Sequence, residues 1–287
     1  MKEFSGKVAV ITGGASGIGF GLAKKAVAEG MKVVIADIEQ QALNTAAADL
    51  TELGGDVLAV KADVSDSDSV QALADKTLEH FGAVHVLFNN AGVGGGGCIW
   101  EMDKKDWEWV LGVNLWGVIN GVSAFTKHMV AQNEGHVVNT ASIAGLMSAP
   151  GTGTYTVSKH AVVALSESLY GELQNAEANV GVSVLCPAFV NTKIFAYERN
   201  RPEDKTVEQT EEEKAIAKAT EEASAEFFAQ TLSPESVAET AFNAIRNDEF
   251  YILTHPIGSK EQVEKRMRTI IDGGNPSVAG PQDFPHA

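Results

Sequence analysis

Residues 7–37 constrain the fold more than any other stretch of this chain. Lys7-Val8-Ala9-Val10-Ile11-Thr12 is a short apolar run, of the kind that forms a strand buried on both faces of a parallel sheet. Gly13, Gly17 and Gly19 then crowd one turn, Ile18 to Glu29 has helical spacing, and Gly30 is a helix stop. A second apolar run, Lys32 to Asp37, follows at once. The alternation continues through Val57–Val60, Val84–Phe88, His136–Ala141 and Gly181–Cys186. It predicts a parallel sheet with helices on both faces. At 287 residues the chain can bury the core of one such domain, and no repeat or linker divides it.

The turn after the first strand carries chemistry as well as shape. Gly13, Gly17 and Gly19 leave room for the backbone to approach a pyrophosphate, whose charge a helix N-terminus favours. The spacing is G-x-x-x-G-x-G, not the G-x-G-x-x-G dinucleotide fingerprint. The second strand ends on Asp37, placed to accept hydrogen bonds from the adenosine ribose hydroxyls. The same carboxylate would repel a 2′-phosphate by roughly 4 kcal/mol at ~4 Å and an effective dielectric of ~20. No basic residue stands beside it in sequence, since Ile38 follows and the turn carries Ser16. Asp37 could instead cap a helix starting at Glu39. The expectation is NAD in preference to NADP.

A second cluster lies farther along. Tyr155 and Lys159 are four apart at the start of an amphipathic helix, so they share a face. A phenol titrates near pH ~10. A neighbouring ammonium is expected to lower that value toward the range where acid/base catalysis is efficient. Ser142 ends the apolar run at His136–Ala141, where its hydroxyl can bond a substrate oxygen. A Tyr-x-x-x-Lys pair also occurs by chance on helices, and its meaning here comes from the glycine turn in the same chain. His160 adjoins Lys159 but points about 100° away around the helix.

Together Thr12-Gly13-x-x-x-Gly17-Ile18-Gly19, Asp63-Val64, Asn89-Asn90-Ala91-Gly92, Asn114, Ser142, Tyr155-x-x-x-Lys159 and Pro187 with Thr192 resemble the short-chain dehydrogenase/reductase family. The likeness is to its smaller single-domain branch. It runs from about Lys7 to Thr192 and again through Tyr251-Ile252-Leu253. It implies a doubly wound, Rossmann-like α/β domain and an NAD(P)-dependent alcohol/carbonyl reaction. By the same resemblance Asp63 and Val64 lie at the adenine, and Asn90 and Gly92 support the cofactor cleft. Asn114 holds a water in a proton relay with Lys159, and Thr192 bonds the nicotinamide carboxamide. Ser16, Ile18, Asp37, Ile38, Ala91, Pro187 and Val190 complete the expected cofactor contacts, with Tyr155 and Lys159 shared between cofactor and chemistry. Ala188 departs from the family, which often has glycine after the proline.

Past Thr192 the chain is its own. About 190–234 is expected to be a helical substrate lid, with Glu211 to Ala219 helical and Ile194, Phe195, Tyr197, Phe227 and Phe228 closing over the substrate. Gly94 to Gly97 is read as the opposite wall. Such walls favour an apolar or aromatic secondary alcohol, and the C-terminal region from about 255 loosely resembles bacterial dehydrogenases of lignin-derived aryl ethers. A net charge of −16 argues against nucleic acid or anionic membranes as partners. Cys98 and Cys186 cannot make a disulfide framework, no Cys/His spacing marks a metal site, and no signal peptide is expected before the first strand. A cytoplasmic protein is expected. No apolar run approaches the ~20 residues needed to span a membrane.

The mechanism implied has Ser142 and Tyr155 bonding the substrate oxygen and Tyr155 taking its proton. Helices near Leu115 and Tyr155 are apolar around much of their circumference and need cover, so a homodimer or homotetramer is expected. An NADPH-dependent ketone reductase and a non-catalytic cofactor-sensing protein are the other readings.

Overall fold

The apolar runs fold into strands β1 (Val8–Thr12), β2 (Lys32–Asp37), β3 (Asp56–Lys61), β4 (Val86–Asn89), β5 (Gly135–Thr140), β6 (Val180–Cys186) and β7 (Tyr251–Leu253). The structure is a computed structural model that describes residues 1–207, 219 and 227–276. Every neighbouring strand pair is parallel, in the order β3-β2-β1-β4-β5-β6-β7. The order grows one way from β1 and the other way from β4. At that reversal the connections leave in opposite directions, and a crevice opens beyond the carboxyl ends of the strands.

Among the described residues the α-helices are α1 (Gly17–Ala28), α2 (Gln40–Glu52), α3 (Ser67–Phe81), α4 (Lys104–Leu111), α5 (Gly117–Gln132), α6 (Gly153–Asn175), α7 (Pro234–Asn247) and α8 (Pro256–Ile271). Local chemistry sets several ends. The Asp66 carboxylate accepts from Asp68 N to start α3, and Gly82 ends it in the left-handed region at φ +77°, where glycine carries no Cβ penalty. Ser233 caps α7, with Pro234 at its first turn.

Successive strand residues serve opposite faces. Ala9, Ile11, Val33, Ile35 and Phe88 pack under α1, α2 and α7 through Leu22, Leu43, Val237 and Phe242. Val8, Val10, Val34, Leu87 and Val137 pack under α3, α5 and α6 through Leu73, Phe125, Met129 and Leu169. Each such large side chain contributes about 1.5–3 kcal/mol of burial.

One expectation needs amending. α4, a π-helical turn at Gly112–Trp116 and α5 run on as Lys104–Gln132, long and apolar enough by length and composition to cross a membrane. Half of its most apolar window is buried, and the segment packs on α3, α6 and the sheet as a core helix does. The segment Glu211 to Ala219, expected to be helical, lies outside the described residues apart from Ala219, as does the tail beyond Pro276.

A buried histidine marks the far end of the sheet. His136 is 1% exposed. Its Nε2 lies 2.8 Å from Ser183 Oγ, which donates to the Glu249 carbonyl, so Nε2–H is the donor. Burial lowers the His136 pKa to about 3. The unfolded chain therefore binds a proton below pH ~6.5 that the native chain refuses, and stability falls with pH from there to about 3. The slope from this group reaches about 1.4 kcal/mol per pH unit. Urea midpoints measured from pH 7 to 4 are expected to fall less steeply in His136→Asn, and parallel curves would contradict the assignment.

Candidate active site

The cleft at the switch point encloses about 990 Å³ and is lined from the carboxyl ends of six strands. Gly13 follows β1, Asp37 ends β2, Asp63 and Val64 follow β3, Asn90 follows β4, Ser142 follows β5 and Pro187 follows β6. Gly17, Ile18, Ile38, Ala91, Gly92, Tyr155, Lys159, Val190 and Thr192 also line it, together with Ser16. Of the cofactor and catalytic residues expected from sequence, Gly19 and Asn114 stand behind the wall and do not line it.

The glycine turn is a cradle made by close backbone approach. Gly13 has φ +63°, and a Cβ on Gly19 would meet the Gly13 carbonyl oxygen at 2.0 Å. Asn90 ties the turn down, its amide donating to Thr12 O at 3.0 Å while Thr12 Oγ1 accepts from Asn90 N and Ala91 N at 2.9 and 3.1 Å. Thr12 belongs to the motif, but its hub role needed the β4 end beside it. Ser16 begins α1 in extended conformation with no side-chain cap, and the first turn carries no acidic residue. The free N–H groups and positive end of α1 therefore face the cleft. This is the donor set that a pyrophosphate requires, so the residues present fit a dinucleotide. Gly19→Ala is expected to lose about 2–3 kcal/mol of stability and to weaken NADH binding at least tenfold. Unchanged binding by that variant would show that the cradle is not needed.

Asp37 is half-buried, and burial raises its carboxyl pKa against the bonds from Glu39 N and Ala15 N that hold it down. Those bonds measure 3.1 and 3.2 Å. The cap of α2 is Glu39, not Asp37, so the carboxylate bridges two loops and is left facing the cleft. The sequence offers it no neighbouring cation, and the fold brings one to the next carboxylate along the loop: Arg199 Nε lies 3.2 Å from Glu39 Oε1. Beyond β3, Asp63 Oδ1 accepts from Ser65 N and Oγ at 2.9 and 2.7 Å. Asn120 holds the Val64 carbonyl at 2.9 Å.

Tyr155 and Lys159 come from the first turns of α6 and meet Ser142 across the cleft floor. Ser142 is held by its own geometry, Oγ donating to Pro187 O at 3.3 Å and accepting from Ala144 N at 3.1 Å. Its hydroxyl also lies close enough to the Tyr155 hydroxyl to lower that phenol's pKa. Lys159, 3% exposed, donates to Thr140 O at 2.9 Å and lies 5.6 Å from the Tyr155 ring centroid. Electrostatically the pair differs from the sequence expectation. Burial raises the Tyr155 pKa and outweighs the neighbouring Ser142 hydroxyl, which lowers it. Burial pushes Lys159 down to about 8. The ammonium faces the ring and the Thr140 carbonyl, so burial decides both shifts.

Asn114, fully buried in the π-helical turn, spends its side chain on the protein. Oδ1 accepts from Val93 N at 2.8 Å, and Nδ2 donates to Val93 O at 3.0 Å and Ser158 Oγ at 3.1 Å. Ser158 in turn bonds the Tyr155 carbonyl at 2.7 Å. Asn114 thus fixes the turn of α6 that carries Tyr155, and the water expected there would need its main-chain carbonyl.

The far end of the cleft is apolar, with Trp109, Ile143, Met147, Phe189, Tyr197 and Phe228 among its walls. Phe227 is not in that wall but stacks edge-on against Phe189 and Phe228 at 5.2 and 5.1 Å. Gly94 does face the segment after β6 closely, since a Cβ there would meet the Tyr197 ring at 2.5 Å. Trp109 had no sequence signal. Its ring is stacked by Tyr197 at 5.9 Å and by the Arg201 guanidinium at 4.3 Å, and Arg201 pairs with Asp106 at 2.8 Å.

Residues 7–203 match the model of the short chain dehydrogenase family. Over 280 residues the chain is 35% identical to the CLA biosynthesis dehydrogenase/reductase of Lactiplantibacillus plantarum, covering 97% of this chain and 98% of that one. It is also 35% identical to the C alpha-dehydrogenase of a Sphingobium species, covering 98% and 91%. The crystal structure of a short-chain dehydrogenase/reductase from Burkholderia phymatum in complex with NAD superposes with a TM-score of 0.91 at 47% identity, covering 98% of this chain and 99% of that one. A Rossmann-like sheet with its cleft at the strand reversal, matched over nearly its whole length, makes this chain a member of the short-chain dehydrogenase family, an oxidoreductase acting on small-molecule alcohols and ketones.

Proposed function

We propose that this protein is an NAD(H)-dependent dehydrogenase that interconverts an apolar or aromatic secondary alcohol and its ketone, with Tyr155 as the acid/base. The observation that carries the reading is that Ser142, Tyr155 and the buried Lys159 line one cleft together, with the Ser142 hydroxyl beside the Tyr155 hydroxyl. An alcohol oxygen placed between Ser142 and Tyr155 accepts from the Ser142 hydroxyl and donates its proton toward Tyr155, and its carbinol hydrogen faces the open cleft. NAD+, when bound, supplies the hydride acceptor. Tyr155 takes the hydroxyl proton, and oxidation is expected to quicken with rising pH as the buried phenol ionises. Lys159 keeps two further N–H donors beyond its bond to Thr140 O, enough to reach a ribose hydroxyl and a relay water on the Asn114 main chain. Ketone reduction is the same path reversed.

Asp37 supports NAD, and the NAD complex of the Burkholderia relative accords with it. The remaining contacts follow the cleft: Asp63 and Val64 at the adenine, Asn90, Ala91 and Gly92 along its centre, and Pro187, Val190 and Thr192 at the nicotinamide. The aromatic end of the cleft supports an apolar substrate. About 190–234 is read as the lid, and the extension from about 255 backs the pocket through Val263 of α8, which packs with Ile143, Met147 and Phe189. Trp116 and Val157, exposed beside α5 and on α6 at 55% and 46%, support a homodimer or homotetramer.

The test is turnover of a panel of aryl and alkyl secondary alcohols with NAD+ and with NADP+. Ketone formation favouring NAD+ is expected. A preference for NADP+ would make an NADPH-dependent ketone reductase the better reading, and failure with every alcohol and both coenzymes would sink the proposal.

A further inference from the structure

The lid and the coenzyme end of the cleft touch through one ion pair that the reaction does not require. Arg199 leaves the 3₁₀ stem Ile194–Asn200 and reaches Glu39, 160 residues away, with Nε 3.2 Å from Oε1. The guanidinium is not loosely hung. Its Nη1 donates to Lys193 O at 3.1 Å and to Ala196 O at 2.7 Å, so the stem's own carbonyls fix the cation at the rim. Glu39 is fixed too, because its N–H donates to Asp37 Oδ1 at 3.1 Å. Both side chains line the cleft. The arrangement therefore places a held cation one carboxylate away from the residue read as the ribose acceptor.

We propose that Glu39 is a second determinant of coenzyme choice, its carboxylate neutralising the lid guanidinium that would otherwise offset Asp37 and attract a 2′-phosphate. This inference rests on the reading of Asp37 as the ribose contact. Asp37 acts by direct repulsion, and Glu39 acts by setting the charge that Arg199 presents. Without Glu39 the guanidinium stays in place on its two carbonyls and carries a free positive charge. Without Arg199 the rim keeps both carboxylates and loses the cation paired with Glu39. The two losses move the rim charge in opposite directions. A unit charge acting over roughly 8 Å at a wet rim, with an effective dielectric of about 40–60, changes relative binding by about three- to sixfold. The change shrinks with added salt.

The test is a titration of NADH and NADPH into the wild type and into Glu39→Gln, Arg199→Gln and Glu39→Asp, followed by energy transfer from tryptophan. Trp109 in the cleft wall is the nearest reporter of cleft occupancy. The ratio of the NADPH to the NADH dissociation constant is expected to fall about three- to sixfold in Glu39→Gln and to rise by a similar factor in Arg199→Gln. Both shifts should fade at high salt, and Glu39→Asp, which keeps the charge, should stay near the wild type. A pair that merely latches the lid would move both coenzymes alike. Shifts of the same sign in the two glutamine variants, an unmoved ratio, or a Glu39→Asp ratio equal to that of Glu39→Gln would each overturn the proposal. Tighter NADPH binding by the wild type would overturn the reading of Asp37 instead, and the signs of the two variants would still decide the role of Glu39.

Discussion

Tyr155→Phe is expected to bind NADH within about twofold of the wild type and to lose about a thousandfold in kcat/KM, in the middle of the range for removing a positioned acid/base. The substitution deletes one oxygen and keeps the ring that packs against Lys159. It leaves the glycine cradle and the Asp37 contacts untouched, since these come from β1, β2 and β4. Ser142 still offers its hydroxyl to the substrate oxygen, so substrate binding should weaken only modestly. Steady-state oxidation of a secondary alcohol, paired with the NADH titration, checks both halves. Turnover within tenfold of the wild type would remove Tyr155 from the role of base.

Lys159→Met is expected to abolish most turnover and yet to make the protein more stable at pH 7. Burial lowers the Lys159 pKa from 10.5 to about 8. The unfolded chain therefore holds more protons than the native chain between those values. The native state carries the full cost of the buried cation below pH 8 and sheds it as pH rises toward 10.5. At pH 7 that cost is about 3 kcal/mol. The lost bond to the Thr140 carbonyl returns about 1 kcal/mol of it, leaving a net gain near 2 kcal/mol on the order-of-magnitude scale. Methionine fills a similar volume without a charge. A urea midpoint at pH 7 above that of the wild type, with the difference shrinking as pH rises and reversing by about 1 kcal/mol above pH ~10.5, is the expected outcome. A lower midpoint at pH 7 would contradict the cost assigned to the cation.

What the sequence revealed was local in the chain. Gly13, Gly17 and Gly19 stand within one turn between a strand and a helix, and Tyr155 and Lys159 stand four apart, so strand and helix periodicity alone bring them into position. Asp37 was legible because β2 ends on it. The alternation of apolar runs gave the parallel sheet for the same reason. What escaped depends on contacts between distant segments. Arg199 comes beside Glu39 only because the stem after β6 folds back over the loop after β2. Trp109 becomes a wall only when Tyr197 and Arg201 stack on it. The side chain of Asn114 is spent on Val93 and Ser158, which spacing does not disclose.

The sign of the Tyr155 shift escaped for a different reason. Four-residue spacing puts an ammonium near a phenol but says nothing of depth. Here the depth raises one group and lowers the other. The long helix Lys104–Gln132 likewise hides in the sequence, because Gly112 and Gly117 interrupt the pattern while the π-helical turn carries the chain through.

The central claim is direct hydride transfer from a secondary alcohol under the control of Tyr155. The measurement that reaches it most directly uses an aryl secondary alcohol deuterated at the carbinol carbon, incubated with the purified protein and NAD+, with the coenzyme recovered for mass analysis. The account predicts ketone formation with the deuterium carried on the reduced coenzyme, and neither product from Tyr155→Phe on the same time scale. Deuterium released to water, or ketone formed equally well by the phenylalanine variant, would contradict it.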